Sequence, residues 1–454
     1  MGIKKHLPKA IPLRPWRIAA ILNTTFASGM IRFIDLFAGI GGIRKGLEQA
    51  IITRGDTPVC VFTSEIKPYA ISVLRQNHPN EKIYGDITKV DAKAIPDFDI
   101  LCAGFPCQAF SAAGKREGFA DTRGTLFFDV ERILKEKKPK GFILENVEGL
   151  VNHDRGKTLK TILAHLEALG YKVSFRLLNS KYFGVPQERK RIYIVGTFTA
   201  APDLDDFPAR RRVLGDILEK GKPTLDSKFT RLLLSKFQVS ELYGRSIKDK
   251  RGGANNIHSW DLGVKGEVTE NGKKLLNLIL TERRKKKWAE EYSIDWMDGM
   301  PLTRDMIATF YSGPDLDSLL EDLVAKGYLV REHPKKKVVT ANEAGVTSSH
   351  REQDKTLPVG YNIAAGKLSF EINKILDPAQ MAPTLVAMDM DKLAVPDGDG
   401  VRRLTLREGL RMFGYPEDYQ FDINDRKGFD LLGNTVVVPV IEAVCNRLLT
   451  TIYG

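Results

Sequence analysis

IRFIDLFAGIGGIRKGLEQA, residues 31–50, is the stretch on which the fold turns. Ile31 to Leu36 is a short, mostly apolar run with the character of a buried strand. Gly39, Gly41 and Gly42 then crowd into a turn, and a helical pattern follows. Glycines there let the backbone approach a ligand, and the free N–H groups of the helix start face it. A glycine-rich turn alone is more often a tight turn than a cofactor site, so the strand ends that follow carry the argument. VCVFTSE (59–65) places Glu65 at the end of a second strand, at a spacing suited to accepting hydrogen bonds from ribose hydroxyls. KIYGDIT (82–88) puts Asp86 after a third apolar stretch, where a carboxylate could take an adenine amino group. DILCAG (99–104) is a fourth strand, and the chain beyond it runs into Pro106 and Cys107. Strands alternating with helices in this way predict an α/β fold, a doubly wound, Rossmann-like parallel sheet whose ligands sit at the carboxyl ends of the strands.

Cys107 stands out among the four cysteines. Cys60, Cys102 and Cys445 read as small buried hydrophobes. Cys107 follows a rigid proline and precedes Gln108, Ser111, Gly114, Lys115, Arg116, Gly118, Arg123 and Gly124, a polar, cationic loop where a thiolate would be stabilised. KPKGFILENVEGL (138–150) adds an apolar strand ending in Glu145 and Asn146, on the same rim as Cys107. After an amphipathic helix closed by Gly170, NSKYFGVPQERKRIYIVG (179–196) carries Arg189 and Arg191, which share a face on an extended segment.

FIDLFAGIGG, GFPCQAFS, ENVEGL, QERKR, RRLTLRE and LLGNTV occur in one chain, in an order and spacing that resemble the DNA (cytosine-5)-methyltransferases of prokaryotic restriction-modification systems. The resemblance covers residues 31 to about 200 and 375 to 454. It implies methyl transfer from S-adenosyl-L-methionine to C5 of a cytosine flipped out of duplex DNA. Cytosine C5 is too weak a nucleophile unaided, and addition of a Cys107 thiolate to C6 would make it an enamine carbon. Glu145 would offset the charge developing at N3 and the exocyclic amine. Arg191 would contact O2, and Arg189 would help to hold Glu145 and the loop. By the same resemblance Phe37, Gly39 and Gly41 line the cofactor, Glu65 and Ile66 hold its ribose and flank its adenine, and Asp86 and Ile87 contact the adenine. Pro106, Leu126, Asn434, Thr435 and Val436 complete that pocket, so both ends of the chain build one catalytic domain. Gln108 and Ser111 would close on the DNA. The resemblance further implies a monomer, a cytoplasmic setting and a companion restriction endonuclease.

Composition sets the outer limits. The chain has 454 residues, 43% hydrophobic and 28% charged, which suits two globular domains. No run approaches the ~18 consecutive apolar residues of a membrane span. Four cysteines without a CxxC pair argue against a disulfide scaffold and against a structural zinc site, and no metal is expected. Of the net charge of +12, residues 1–30 supply +5 and are expected to be a disordered extension or to precede a natural start at Met30. Residues 201–375 read as an inserted, smaller α+β target-recognition domain, with 376–454 returning to the catalytic domain. Within the insertion, Arg283, Arg284, Lys285, Lys286 and Lys287 are either a solvated helix face or phosphate contacts. The pattern over 273–340, helices followed by a Gly turn and two strands with a basic tip at Lys335–Lys337, resembles a winged helix. Two other functions remain open: methylation of cytosine in RNA, which in this resemblance goes with a short insertion, and non-enzymatic DNA binding, which predicts loss of the thiol, Glu or Arg groups.

Overall fold

A computed structural model describes residues 29–106, 126–249, 255–294, 299–341, 347–364, 370–386 and 390–454. Its centre is a seven-stranded sheet built from β1 (Met30–Leu36), β2 (Thr57–Ser64), β3 (Ile83–Tyr84), β4 (Ile100–Ala103), β5 (Gly141–Val147), β6 (Lys172–Asn179) and β7 (Lys190–Thr197), in the order β3-β2-β1-β4-β5-β7-β6. The β1–β2, β2–β3, β1–β4 and β4–β5 pairs are parallel, as the alternating pattern predicts. β7 departs from it and runs antiparallel to both β5 and β6. The reason is the connection: residues 180–189 hold only one 3-10 turn, and a parallel return needs a crossover of a dozen or more residues.

Two apolar layers cover the sheet. Ile31 and Phe33 of β1 face α1 (Gly42–Thr53) and α2 (Pro68–Asn77), through Ile43, Leu47, Ala70 and Val73. Ile34 and Leu36 face the other way, toward α3 (Leu126–Lys137) and, beyond the short turn α4 (Gly149–Asn152), α5 (Lys157–Ala168). This period of two along one strand is what a doubly wound sheet demands.

The C-terminal helix Val438–Tyr453 starts with Pro439 in its first turn and lies in the α1 layer. Gly46 permits the contact, because a Cβ there would sit 2.5 Å from Ile441 Cβ. Ile441, Leu448 and Leu449 are buried in it, each contributing roughly 1.5–3 kcal/mol. The helical stretch Asp425–Tyr453 is long and apolar enough to cross a membrane by composition, yet it is two helices broken by the extended Thr435, and the second packs as a core helix.

The middle of the chain has cores of its own. A five-stranded mixed sheet joins β8 (Ser246–Ile247) and β9 (Asn256–Ile257) to strands from beyond residue 370. Between them, helices Glu270–Glu282, Lys286–Glu291, Arg304–Ala308 and Leu316–Ala325 enclose a separate apolar cluster around Trp260, Leu276, Ile279, Leu320 and Ile363. The last helix leads into β10 (Leu329–Glu332) and β11 (Lys335–Ala341), which pair with β13 (Gly360–Ile363) and β12 (Thr347–Gln353) in two separate two-stranded antiparallel sheets. Leu204, Leu214 and Ile217, by contrast, sit in the core of the large sheet, so the first residues after 200 pack with the catalytic layers.

Candidate active site

The glycine turn after β1 is left-handed at Phe37 (φ 55°), Gly39 (φ 56°) and Gly41 (φ 69°). For Phe37 that conformation costs free energy, and it is held where the chain leaves the sheet. The Glu65 carboxylate fixes the turn from the side: it accepts hydrogen bonds from Gly39 N (2.7 Å), Ile66 N (2.8 Å) and Lys67 N (2.8 Å). Ile66 is 67% exposed, an unusual state for a large apolar side chain just beyond the carboxyl end of a strand. A Cβ at Gly39 would meet nothing within 4 Å, so open space lies before the turn. Asp86 caps its own 3-10 turn, accepting from Thr88 N (3.1 Å) and Oγ1 (2.8 Å), and these bonds hold its carboxyl below the usual range. Ile87 beside it is buried and helps to support the turn.

The segment Asn434–Val436 closes on this turn from the far end of the chain. A Cβ at Gly42 would stand 2.7 Å from Tyr415 Oη and Val436 Cγ2 and 2.9 Å from Thr435 Oγ1. The Thr435 and Tyr415 hydroxyls share a buried hydrogen bond of 2.7 Å.

Glu145 stands near the carboxyl end of β5. Arg191, on antiparallel β7, places its Nε 3.1 Å from Glu145 Oε1. The other carboxylate oxygen lies 3.5 Å from where a Cβ of Gly104 would be, against the strand end that leads to Pro106. Burial pushes the Glu145 carboxyl up, while Arg191 and then Arg189 pull it down. Asn146 donates to the carbonyl of Phe105 (3.2 Å) and so ties β5 to the residues just before Cys107. Beside this pair lies a cleft of about 460 Å³ lined by Val147, Gly149, Lys190, Arg191 and Thr384.

The model of the C-5 cytosine-specific DNA methylase family matches residues 31–450. The chain belongs to this family. It is 62% identical over 429 residues to the Type II methyltransferase M.NlaIV of Neisseria lactamica, covering 93% of this chain and 99% of that one. It is 61% identical to the Type II methyltransferase M.NgoBV of Neisseria gonorrhoeae, with the same coverage. Among solved structures, a DNA modification methyltransferase encoded within an E. coli prophage shares the fold at 20% identity and a TM-score of 0.51, covering 93% of this chain and all of that one. The S. pombe Dnmt2 methyltransferase does so at 16% and 0.50, with 92% and 98% covered.

In this DNA (cytosine-5)-methyltransferase the expected site residues divide into three groups. Phe37, Gly39, Gly41, Glu65, Ile66, Asp86 and Ile87 lie on the sheet ends β1 to β3 or just beyond them, and Thr435 and Val436 pack against the same glycine turn. Asn434, at the end of the helix before them, is exposed and donates to Asp430 O (2.8 Å). Pro106 ends the segment after β4 and Leu126 opens α3, while Cys107, Gln108 and Ser111 lie outside the described residues.

Arg189 differs from expectation. It is 3% exposed and donates to the carbonyls of Leu385 (2.9 Å), Gly433 (3.0 Å) and Thr435 (3.0 Å), with its guanidinium over the Phe413 ring. No hydrogen bond joins it to Glu145 among the described residues, so it fastens the returning chain and acts on Glu145 only as a nearby charge. The RRLTLRE stretch is architectural in the same way. Buried Arg402 forks onto both carboxylate oxygens of buried Glu408 (2.7 and 2.9 Å), and Glu408 caps its helix through Thr405.

Within the basic run of 283–287, Arg283 departs from a row of phosphate contacts. Arg283 is 5% exposed and donates to Asn362 Oδ1 (2.5 Å) within the middle core. Lys285 pairs with Glu282 (2.5 Å) and Lys286 with Glu290 (2.9 Å), while Lys287 lies over the Trp288 ring. Two groups were missed by sequence reading. Asn146 was seen only as a strand end, and Asp35 was not singled out although it is a buried acid in β1 whose Oδ2 has no partner in the described structure.

Proposed function

We propose that this methyltransferase transfers a methyl group from S-adenosyl-L-methionine to C5 of a flipped-out cytosine in a specific duplex DNA sequence, through a covalent Cys107–C6 adduct. The observation that carries the reading is the Arg191–Glu145 pair at 3.1 Å, set on the rim where β4 runs out through Gly104 toward Cys107. The left-handed turn, the Glu65 carboxylate fixed beside it, exposed Ile66 and the open space before Gly39 suit a nucleoside with an amino-acid tail. When bound, S-adenosylmethionine supplies an electrophilic methyl group on a sulfonium.

The chain's own groups do the rest. The Cys107 thiolate forms the S–C6 bond, and the displaced electron pair spreads toward N3 and O2 of the ring. Glu145, its proton affinity raised by burial, donates at N3, while the Arg191 guanidinium takes the charge at O2. Once C5 carries the methyl group, the C5 proton leaves to a base. The C5–C6 double bond re-forms, the S–C6 electrons return to Cys107, and the N3 proton goes back to Glu145. Arg189 keeps Thr435 and Gly433 against the cofactor turn throughout.

Residues 201–375 would supply target recognition, with a winged-helix-like part over 273–340. The enzyme would act in the bacterial cytoplasm as a monomer, with a companion restriction endonuclease for the same site. Labelled-methyl transfer to duplex DNA by the wild type, abolished in Cys107→Ser with cofactor binding retained, is the expected result. Transfer to tRNA but not to duplex DNA would overturn the substrate, and an active Cys107→Ser enzyme the mechanism.

A further inference from the structure

Two stretches of the returning chain border the two halves of the site. Residues 382–385 are zipped to 186–189 at the wall of the cleft: Ala382 N donates to Pro186 O (2.9 Å), Glu188 N to Ala382 O (2.9 Å) and Thr384 Oγ1 to Glu188 O (2.7 Å). Pro383 and Thr384 line the cleft together with Arg191, the partner of Glu145, so this segment is part of the wall that a target nucleotide would meet. Residues 433–435 lie on the cofactor side, where Thr435 packs against the glycine turn at Gly42.

Arg189 joins the two. Its Nη1 donates to Leu385 O (2.9 Å), next to the cleft residues, and its Nη2 donates to Gly433 O and Thr435 O (both 3.0 Å). Among the described residues no other side chain hydrogen-bonds to both segments, and Nε has no partner there, so the two terminal nitrogens carry the connection. A guanidinium is planar and stiff, so a shift of one segment that keeps its bond turns the whole group and strains the bonds to the other.

The mount does not absorb such a shift. Arg189 N donates to Ser180 Oγ (3.0 Å), Ser180 N donates to Arg189 O (3.0 Å), and Ser180 Oγ donates to Gln187 O (2.6 Å). Ser180, Gln187 and Arg189 are all buried, and the Phe413 ring lies against the guanidinium.

We propose that Arg189 is a positioning residue that couples the cofactor site to the DNA cleft: cofactor bound against Thr435 steadies Thr384 and Leu385 for the target strand, and bound DNA steadies Thr435 for the cofactor. The cost of ordering the shared bracket then falls on whichever ligand binds first, which makes their binding cooperative. This rests on the reading of the enzyme as an S-adenosylmethionine-dependent duplex-DNA methyltransferase and assigns Arg189 a part in it beyond holding the fold. The test uses the full chain, S-adenosylhomocysteine as a non-reacting cofactor and a duplex that the wild type methylates. DNA affinity is measured with and without S-adenosylhomocysteine, and S-adenosylhomocysteine affinity with and without DNA; the two ratios must agree, because linkage is reciprocal. In the wild type each ligand is expected to tighten the other at least about fivefold. Arg189→Lys, whose single ammonium cannot hold both segments, is expected to bring the ratio below about twofold.

Arg402→Lys is the control. Arg402 is a buried arginine that holds Asp397, Glu219 and Glu408 and touches neither segment, so its loss is expected to lower Tm and keep the wild-type ratio. Thr384→Val, at an exposed position, removes the bond to Glu188 O and loosens the segment on which Nη1 pulls. It is expected to lower the ratio at least about twofold while S-adenosylhomocysteine affinity without DNA is unchanged, and it decides the matter if Arg189→Lys does not fold. A wild-type ratio near one, an undiminished ratio in Arg189→Lys or Thr384→Val, or an Arg402→Lys ratio that falls as far as that of Arg189→Lys would overturn the proposal. A wild type that methylates no duplex would instead overturn the reading beneath it.

Discussion

Replacing Gly42 with alanine should destabilise the enzyme and weaken its cofactor site together, because that glycine is where the two ends of the chain meet. The new Cβ would stand 2.7, 2.7 and 2.9 Å from Tyr415 Oη, Val436 Cγ2 and Thr435 Oγ1, all well inside ordinary contact. Overpacking of this kind costs about 1–3 kcal/mol. Forcing apart the buried Tyr415–Thr435 hydrogen bond adds about 1–3 kcal/mol. Better helix propensity at the first residue of α1 returns less than about 1 kcal/mol. A net loss of about 1–6 kcal/mol follows, read by urea unfolding. Titration calorimetry should show S-adenosylmethionine binding weakened more than about tenfold, because Thr435 and Val436 must move. Adding Tyr415→Phe removes one of the three clashing atoms, so the double variant should be more stable than the two single losses sum to. Gly39→Ala is the contrast: its Cβ meets nothing, so it pays only the left-handed strain of about 1–2 kcal/mol and places its methyl group in the ligand space. A Gly42→Ala enzyme with wild-type stability and cofactor affinity would refute the packing of Thr435–Val436 on the glycine turn.

Three further outcomes are expected. Asn146→Ala loses the bond to the Phe105 carbonyl and should lower kcat about tenfold at unchanged cofactor affinity, measured by single-turnover methyl transfer; equal loss of both would point to a general defect. Arg189→Lys should cost about 2–3 kcal/mol in urea unfolding, since one ammonium cannot span the carbonyls of Leu385, Gly433 and Thr435, and a neutral result would deny Arg189 its fastening role. Burial raises the Asp35 carboxyl to about 8, so its folded pKa exceeds its unfolded one of 3.8. That makes its contribution fully present below pH 3.8 and progressively lost as pH rises to 8, on the order of 5 kcal/mol in all. Asp35→Asn should therefore match the wild type near pH 4 and exceed it at pH 8; parallel stability–pH curves would show that Asp35 is not held protonated.

What the sequence disclosed, and what it withheld, follows from the range of the interactions involved. The glycine turn and the strand ends at Glu65 and Glu145 were legible because local chemistry makes them: apolar runs of strand length, glycines where φ turns positive, and acids where those apolar runs give out. The reversal of β7 was not read, although its short connection after β6 was available as a signal. Arg189 and Arg191 look alike in sequence, two residues apart. They diverge because one precedes β7 and is swallowed by residues 385, 433 and 435, while the other stands within β7, opposite β5. No local pattern reports a partner 244 residues away.

The basic run at 283–287 teaches the same lesson from the opposite side. Five consecutive cations look like a phosphate surface, but the end of helix Glu270–Glu282 turns Arg283 into the core, Glu282 pairs with Lys285, and Glu290 of the next helix pairs with Lys286. The Lys335–Lys337 stretch is a shorter run, and it lies at the start of β11, away from the turn expected to carry it. The antiparallel register brings Arg351, fourteen positions beyond Lys337, directly opposite it. A count of charges along the chain ranks the helix run first. The face on which each charge stands and the acids beside it qualify that order, because a phosphate backbone meets faces and not sequence runs.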